Sequence, residues 1–191
     1  MNEILITLFS CALLNNLVMS HLVGLDLQLV ASQRMQAAWN TGATTLVSLC
    51  FLMPIARLLD VLILVPLQLE HFTVLVYVVT TVFIITALQQ AFYYMFPQHK
   101  ENFNSVVPLL LTNNLFLATM LLQQTSSEGF FMLCVMAFAY GLGFLLLLLL
   151  ITCMRERIDH DKVPRHFRGV PVLLFSLGIF SMGLMGLTGI A

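Results

Sequence analysis

Long apolar runs, separated by a few polar joints, organise this chain. Six of them, residues 3–24, 38–60, 72–96, 104–124, 129–154 and 170–190, approach or exceed the roughly 20 residues that a helix needs to cross a bilayer. They do not alternate apolar with polar positions, so they predict helices rather than barrel strands. QHKENFN separates the third run from the fourth, QTSSEG the fourth from the fifth, and RERIDHDKVPRHFRGVP the fifth from the sixth. Pro54 lies inside the second run and predicts a kink there, since it lacks an N–H and leaves a carbonyl unpaired. The first run is too long for one untilted span. From Ile4 to Ala31 its strongly polar residues are Asn15, Asn16, Ser20, His21, Asp26 and Gln28. The excess reads either as an interfacial segment or as a helix that breaks near Gly24 and re-enters.

Composition agrees with a membrane chain. Of 191 residues 60% are hydrophobic and 9% charged, against about 25% charged in soluble domains. The expected fold is an all-α membrane protein, with residues 1–191 as a single integral membrane domain. A net charge of -1 makes nucleic acid an unsuitable partner. The opening MNEILITLFS has neither a basic n-region nor a small-residue cleavage site, so the first run is expected to remain as a helix. Loops one, three and five hold Arg34, Lys100, Arg155, Arg157, Lys162, Arg165 and Arg168, leaving Arg57 as the remaining basic residue. The positive-inside rule then puts those loops in the cytoplasm and both termini outside.

Two stretches match each other. Leu13-Leu14-Asn15-Asn16-Leu17 and Leu111-Thr112-Asn113-Asn114-Leu115 agree at four of five positions, 98 residues apart. Each lies in the first helix of a three-helix half, repeat 1 at about 1–97 and repeat 2 at about 104–191. Three is odd, so the halves enter the membrane from opposite sides. The fold predicted is six transmembrane helices as two inverted-topology repeats, with the first and fourth helices interrupted. Such folds place their site near the midplane, where the interrupted helices meet. Asn15, Asn16 and Asn113 are therefore candidate midplane polar residues. They serve either as interhelical hydrogen-bonding groups or as part of a site, and in both cases they face protein or a cavity.

Other polar residues narrow the chemistry. Cys11, Cys50, Cys134 and Cys153 form no CxxC pair and read as small buried hydrophobes. Asp26 is either a buried functional carboxylate or a surface residue capping the next segment. His21 reads as an interface residue, with proton relay as the sharper alternative. Asp60, Glu70 and His71 read as solvated residues of an outward loop. Gly178, Gly183, Gly186 and Gly189 mark a face for close helix approach, met either within this fold or by a second subunit. With no nucleophile–base pair, phosphate loop or zinc signature, catalysis by the chain alone is not expected.

LLNNLV, the VGL that follows, VPLLLTNN, MRERIDHDKVPRHFRG and GLMGLTGI occur in that order over nearly the whole chain. Together they resemble the A-type membrane subunit of Rnf ion-translocating oxidoreductases and, less closely, the D and E subunits of the sodium-translocating NADH:quinone reductase. The resemblance implies a membrane subunit of an electron-transport complex in the bacterial inner membrane. It implies pairing with a homologous, opposite-topology subunit (RnfE-like), alongside other Rnf subunits bearing flavin and iron–sulfur groups. It implies electron transfer across the lipid bilayer coupled to sodium or proton movement, through a [2Fe-2S] cluster shared by the pair. The family supplies two cysteines per subunit to that cluster, and here those positions are Asp26, after Gly24-Leu25, and Asn114, after Thr112-Asn113. Thiolates, or histidines in their place, hold such iron; a carboxylate and an amide do not match it. Three readings follow: a complex subunit without that cluster or with an altered one, a permease or cation path using Asp26 and the amides, and a purely structural partner. The loop from Arg155 to Arg168 is expected to dock cytoplasmic subunits or lipid headgroups.

Overall fold

The computed structural model describes residues 7–8, 10–14, 16–68, 70–95, 107–108, 110–125, 129–158 and 163–188. All regular structure among them is helical. A π-helix, Ser10–Leu14, leads to α1 (Leu17–His21) and α2 (Leu25–Ala31). Then come α3 (Met35–Leu59), which runs on through a second π-helix at Asp60–Leu64, and α4 (Thr73–Met95). The second half holds α5 (Asn114–Thr125), α6 (Phe130–Arg157) and α7 (Val170–Thr188). Among the described residues, three helices are long and apolar enough to span a membrane: Met35–Leu64, Thr73–Tyr94 and Phe130–Arg157. A shorter apolar helix covers Val170–Gly186. The first and fourth runs are not continuous spans: the first is divided at Asn16 and again at Val23-Gly24, the fourth at Thr112-Asn113.

The core sits between α3 and α6. Leu49, Leu52, Met53 and Ala56 of α3 face Ala137, Phe144 and Leu148 of α6, with Phe116 and Met120 of α5 and Ile85 of α4 closing around them. In lipid there is little hydrophobic gain from such packing, so close backbone approach and dispersion carry it. Gly141 supplies that approach: a Cβ there would lie 2.8 Å from the backbone Cα of Leu46. Several buried threonine hydroxyls are satisfied within their own helices. Thr45 donates to Thr41 C=O at 2.8 Å, Thr81 to Tyr77 C=O at 2.8 Å and Thr152 to Leu148 C=O at 2.7 Å. Large apolar side chains point outward instead, among them Phe83, Phe175, Ile179 and Met182.

Helix α3 continues through Pro54. The wholly apolar neighbourhood is relieved by Gln123 of α5, which is 2% exposed. With the amide oriented to satisfy both contacts, its nitrogen donates to Met53 C=O at 2.7 Å and its oxygen accepts from Arg57 N–H at 2.9 Å. A side chain inserted in the backbone ladder is one of the few causes of helix distortion.

Two expectations change. Asp60 is not solvated: it is 4% exposed, and the helical turns continue past it to Leu64. Among the described residues the glycine face of the last helix meets no close neighbour, since a Cβ at Gly178, Gly183 or Gly186 would find nothing within 4 Å. Close approach by another described segment is not seen at those three, and Gly189 lies outside the described residues.

Candidate functional site

Two helix starts are built in the same way. At the first, Asn16 is extended (φ -66, ψ 118) and caps α1, its Oδ1 accepting from Val18 N–H at 3.0 Å. Its Nδ2 donates back to Ala12 C=O at 2.9 Å, closing a carbonyl that the π-helix end leaves free. At the second, Asn113 Oδ1 accepts from Leu115 N–H at 3.0 Å, just inside α5. Both asparagines are 4% exposed. Asparagine suits these places because its short amide satisfies a first-turn N–H that has no intrahelical partner. The matching roles pair Asn16 with Asn113, one residue out of the register that the sequence match gives. Asn15 lies outside the described residues.

The chain needs small residues to bring these starts together. A Cβ at Gly143 of α6 would lie 2.6 Å from Ala12 C=O and 2.8 Å from Asn16 Nδ2, so only glycine lets the first break rest on α6. After α1 the backbone turns through Leu22 (φ 56) and Gly24 (φ 77), both left-handed. Gly24 then begins α2 directly against the second break: a Cβ there would be 3.2 Å from Asn113 Oδ1, 3.2 Å from Phe144 Cε2 and 3.3 Å from Leu115 Cβ. The break expected near Gly24 in the long first run is present.

Among the described residues, two buried amide atoms near this junction have no hydrogen-bond partner, Asn113 Nδ2 and Gln28 Oε1. Gln28 is fully buried, and its Nε2 makes a long 3.5 Å contact with Phe144 C=O. One atom is a donor and the other an acceptor; Gln28 reaches Phe144, and Gly24 packs against both Phe144 and Asn113. The far end of α2 is held by Arg155, whose Nη1 donates to Leu29 C=O and to Ser32 Oγ, each at 3.2 Å. A cation at a helix C-terminus is favourably placed. Arg155 thus acts within the chain, a role its basic surroundings in sequence concealed.

Asp26 is the acid in the first turn of α2 and is exposed. Asn114, the first residue of α5, is exposed as well. The junction therefore buries Asn16 and Asn113 and turns Asp26 and Asn114 to its outside. His21, in the last turn of α1, is also exposed.

An intramembrane iron–sulfur cluster does not fit this donor set. Its two expected thiolate positions present a carboxylate and a neutral amide. Cys11 is buried. Cys50 and Cys134 lie on α3 and α6 at the core interface, and Cys153 is exposed near the end of α6. Among the described residues, no three His, Cys, Asp or Glu side chains form a metal-holding group.

A family model described as "Rnf-Nqr subunit, membrane protein" matches residues 4–191. The A-type subunit of the ion-translocating oxidoreductase complex from Tolumonas auensis is 29% identical over 190 residues, covering 100% of this chain and 98% of the relative. Its counterpart from Aromatoleum aromaticum is 29% identical, and that from Aliivibrio salmonicida 27%, each with the same coverage.

Proposed function

The chain belongs to the Rnf-Nqr family of membrane subunits, and on that premise we propose that it is the A-type membrane subunit of an ion-translocating oxidoreductase complex. Its work is to help couple electron transfer across the membrane to movement of sodium or protons, with catalysis belonging to the complex. Full-length similarity to subunits of that name supports the assignment. The observation that carries the mechanism is the packing of Gly24 on Asn113, which joins the two interrupted segments at one place.

In its finer form, the proposal has six membrane segments in two inverted three-helix repeats, within a single domain. The interruptions at Asn16, Gly24 and Asn113 support that arrangement. The distribution of basic residues supports periplasmic termini in a bacterial inner membrane. The partner is a homologous subunit of opposite topology (RnfE-like), seated on the side where Asp26 and Asn114 are exposed, with the other Rnf subunits around the pair.

The carboxylate at Asp26 and the amide at Asn114 favour one version of this reading: a subunit that keeps its place in the complex and contributes no ligand to a [2Fe-2S] cluster. Any iron at that position would rest on the partner's thiolates. Anaerobic purification through a tag on this chain tests the assignment. Other complex subunits are expected to co-purify. Recovery of the chain by itself from intact membranes would sink the assignment and favour a cation path through Asp26.

A further inference from the structure

Asp60 lies apart from the junction, on the membrane segment that α3 and the following π-helix form together. It is 4% exposed, whereas Asp26 and Glu156 are open to their surroundings. Its carbonyl starts the wide turn, accepting from Val65 N–H five residues on at 2.9 Å. Its own N–H reaches the carbonyls of both Ala56 and Arg57. Wide turns of this kind inside helices gather at functional positions. Here the turn leaves Val61 and Leu62 facing outward at 54% and 69% exposure while the carboxylate faces in.

Inside, Asp60 meets Tyr77 of α4, which is wholly buried. The tyrosine oxygen lies 2.8 Å from one carboxylate oxygen and 2.7 Å from the other. A tyrosine hydroxyl has one proton to give and lone pairs with which to accept. When Asp60 is ionised, that proton is shared toward the two oxygens. When Asp60 carries a proton, its own O–H is within reach to donate to Tyr77. The same two side chains therefore hold both forms without rearrangement. Arg57, one turn earlier on α3, is the positive charge that acts on the pair. Hard divalent ions such as Mg²⁺ or Ca²⁺ take about six or more oxygens, and this pair offers three that are already bonded to one another. A proton needs one lone pair.

An ionisable side chain retained within a membrane segment marks an ion or proton pathway by default. We propose that Asp60 is a proton-accepting site of this subunit and that Tyr77 is its positioning residue. In the step, a hydronium ion passes its proton to a carboxylate oxygen of Asp60, an O–H bond forms, water departs and no electron moves; release is the reverse. The proposal rests on the ion-translocating reading. On that reading Met35 begins α3 at the cytoplasmic face, and Asp60 follows its 25 residues, about 37 Å along the axis at 1.5 Å per residue, near the outer face.

The test uses the whole complex in liposomes, with infrared difference spectra recorded as the external pH is stepped down. The wild type is expected to gain a protonated-carboxyl band that Asp60→Asn loses and Asp60→Glu restores. Tyr77→Phe, with one hydrogen bond fewer, is expected to move that band to higher frequency. A band that survives Asp60→Asn unchanged, or that Tyr77→Phe leaves in place, overturns the proposal. The second readout is the proton gradient formed per electron transferred, expected to fall to an ionophore-treated level in Asp60→Asn. A ratio equal to wild type also overturns it. A wild-type complex that transfers no electrons defeats the broader functional reading instead, and the infrared band still decides Asp60.

Discussion

With its amide turned to suit both contacts, Gln123 of α5 bridges two backbone groups of α3, donating to Met53 C=O and accepting from Arg57 N–H. Pro54 lacks the N–H that would have met Cys50 C=O one turn earlier, and lipid offers no water to backbone groups left over in this stretch. The amide has the right chemistry at both ends, a donor for the carbonyl and an acceptor for the N–H. Gln123→Leu keeps the apolar volume and removes both contacts. The expected cost is about 1–3 kcal/mol for the stranded groups, read as a lower midpoint when the purified protein is unfolded in mixed micelles. A midpoint equal to wild type would show that the turn recloses on itself.

Gly24 is constrained twice, by its left-handed backbone and by the neighbours where a Cβ would stand. A non-glycine residue in that conformation costs roughly 1–2 kcal/mol, before any displacement of Asn113. Gly24→Ala should lower thermal stability and, by pushing the second break away, weaken assembly of the complex. Size-exclusion profiles beside a melting curve separate the two effects. Unchanged profiles with a lowered melt would confine the residue's role to folding.

Arg155 joins the end of α6 to the end of α2 through Leu29 C=O and Ser32 Oγ. Arg155→Ala removes both bonds and the favourable charge at the helix end, for an expected loss on the order of 1 kcal/mol. Hydrogen exchange should then rise in α2 ahead of the rest of the chain. Faster exchange confined to the loop after α6 would contradict this and return Arg155 to a docking role.

How far the sequence could be read depends on what it kept polar. The Asn pairs interrupt apolar runs, so the two breaks were legible, as was the long first run that turns near Gly24. The partnership of Asn16 with Asn113 was not, because identical neighbours hide a shift of one residue. Asp60 looked like the start of a loop, yet the apolar run continues through Val61, Leu62, Ile63, Leu64 and Val65. That continuation was the available signal that the helix had not ended. The packing face of α6 stayed hidden for a different reason. A helix that is apolar on nearly every side carries no stripe, and its buried face is marked by small and polar residues such as Ala137, Tyr140, Gly141, Gly143 and Thr152.

The two family ligand positions make a gain of chemistry the sharpest test of the site. Asp26 and Asn114 are exposed beside the junction, so new side chains there need not disturb the buried asparagines. Replacing Asp26→Cys and Asn114→Cys together supplies the two missing thiolates, which is the ligand type that iron–sulfur clusters use. Co-expressed with its partner subunits and purified anaerobically, the double variant should contain more iron per complex than wild type and gain a [2Fe-2S] signal by EPR on reduction. An equal signal in the unaltered complex would show that this chain's half of the site works without its own thiolates.

The last helix offers a test of the partner surface that leaves the chain's own packing alone. Gly178, Gly183 and Gly186 have open space where a side chain would go, and Met182 and Met185 beside them are 74% and 71% exposed. Among the described residues a Cβ at Gly183 meets nothing within 4 Å, so the effect of Gly183→Leu on the isolated protein should stay within about 0.5 kcal/mol, as for surface changes in general. Small residues on a membrane helix let a second backbone approach closely, and a leucine would hold that backbone off by the width of its side chain. The expected result is an unchanged melt for the isolated protein and reduced recovery of its partners in co-purification. Gly183→Ala, which adds a single methyl, should fall between the two. Full recovery of the partners with Gly183→Leu would assign this face to lipid.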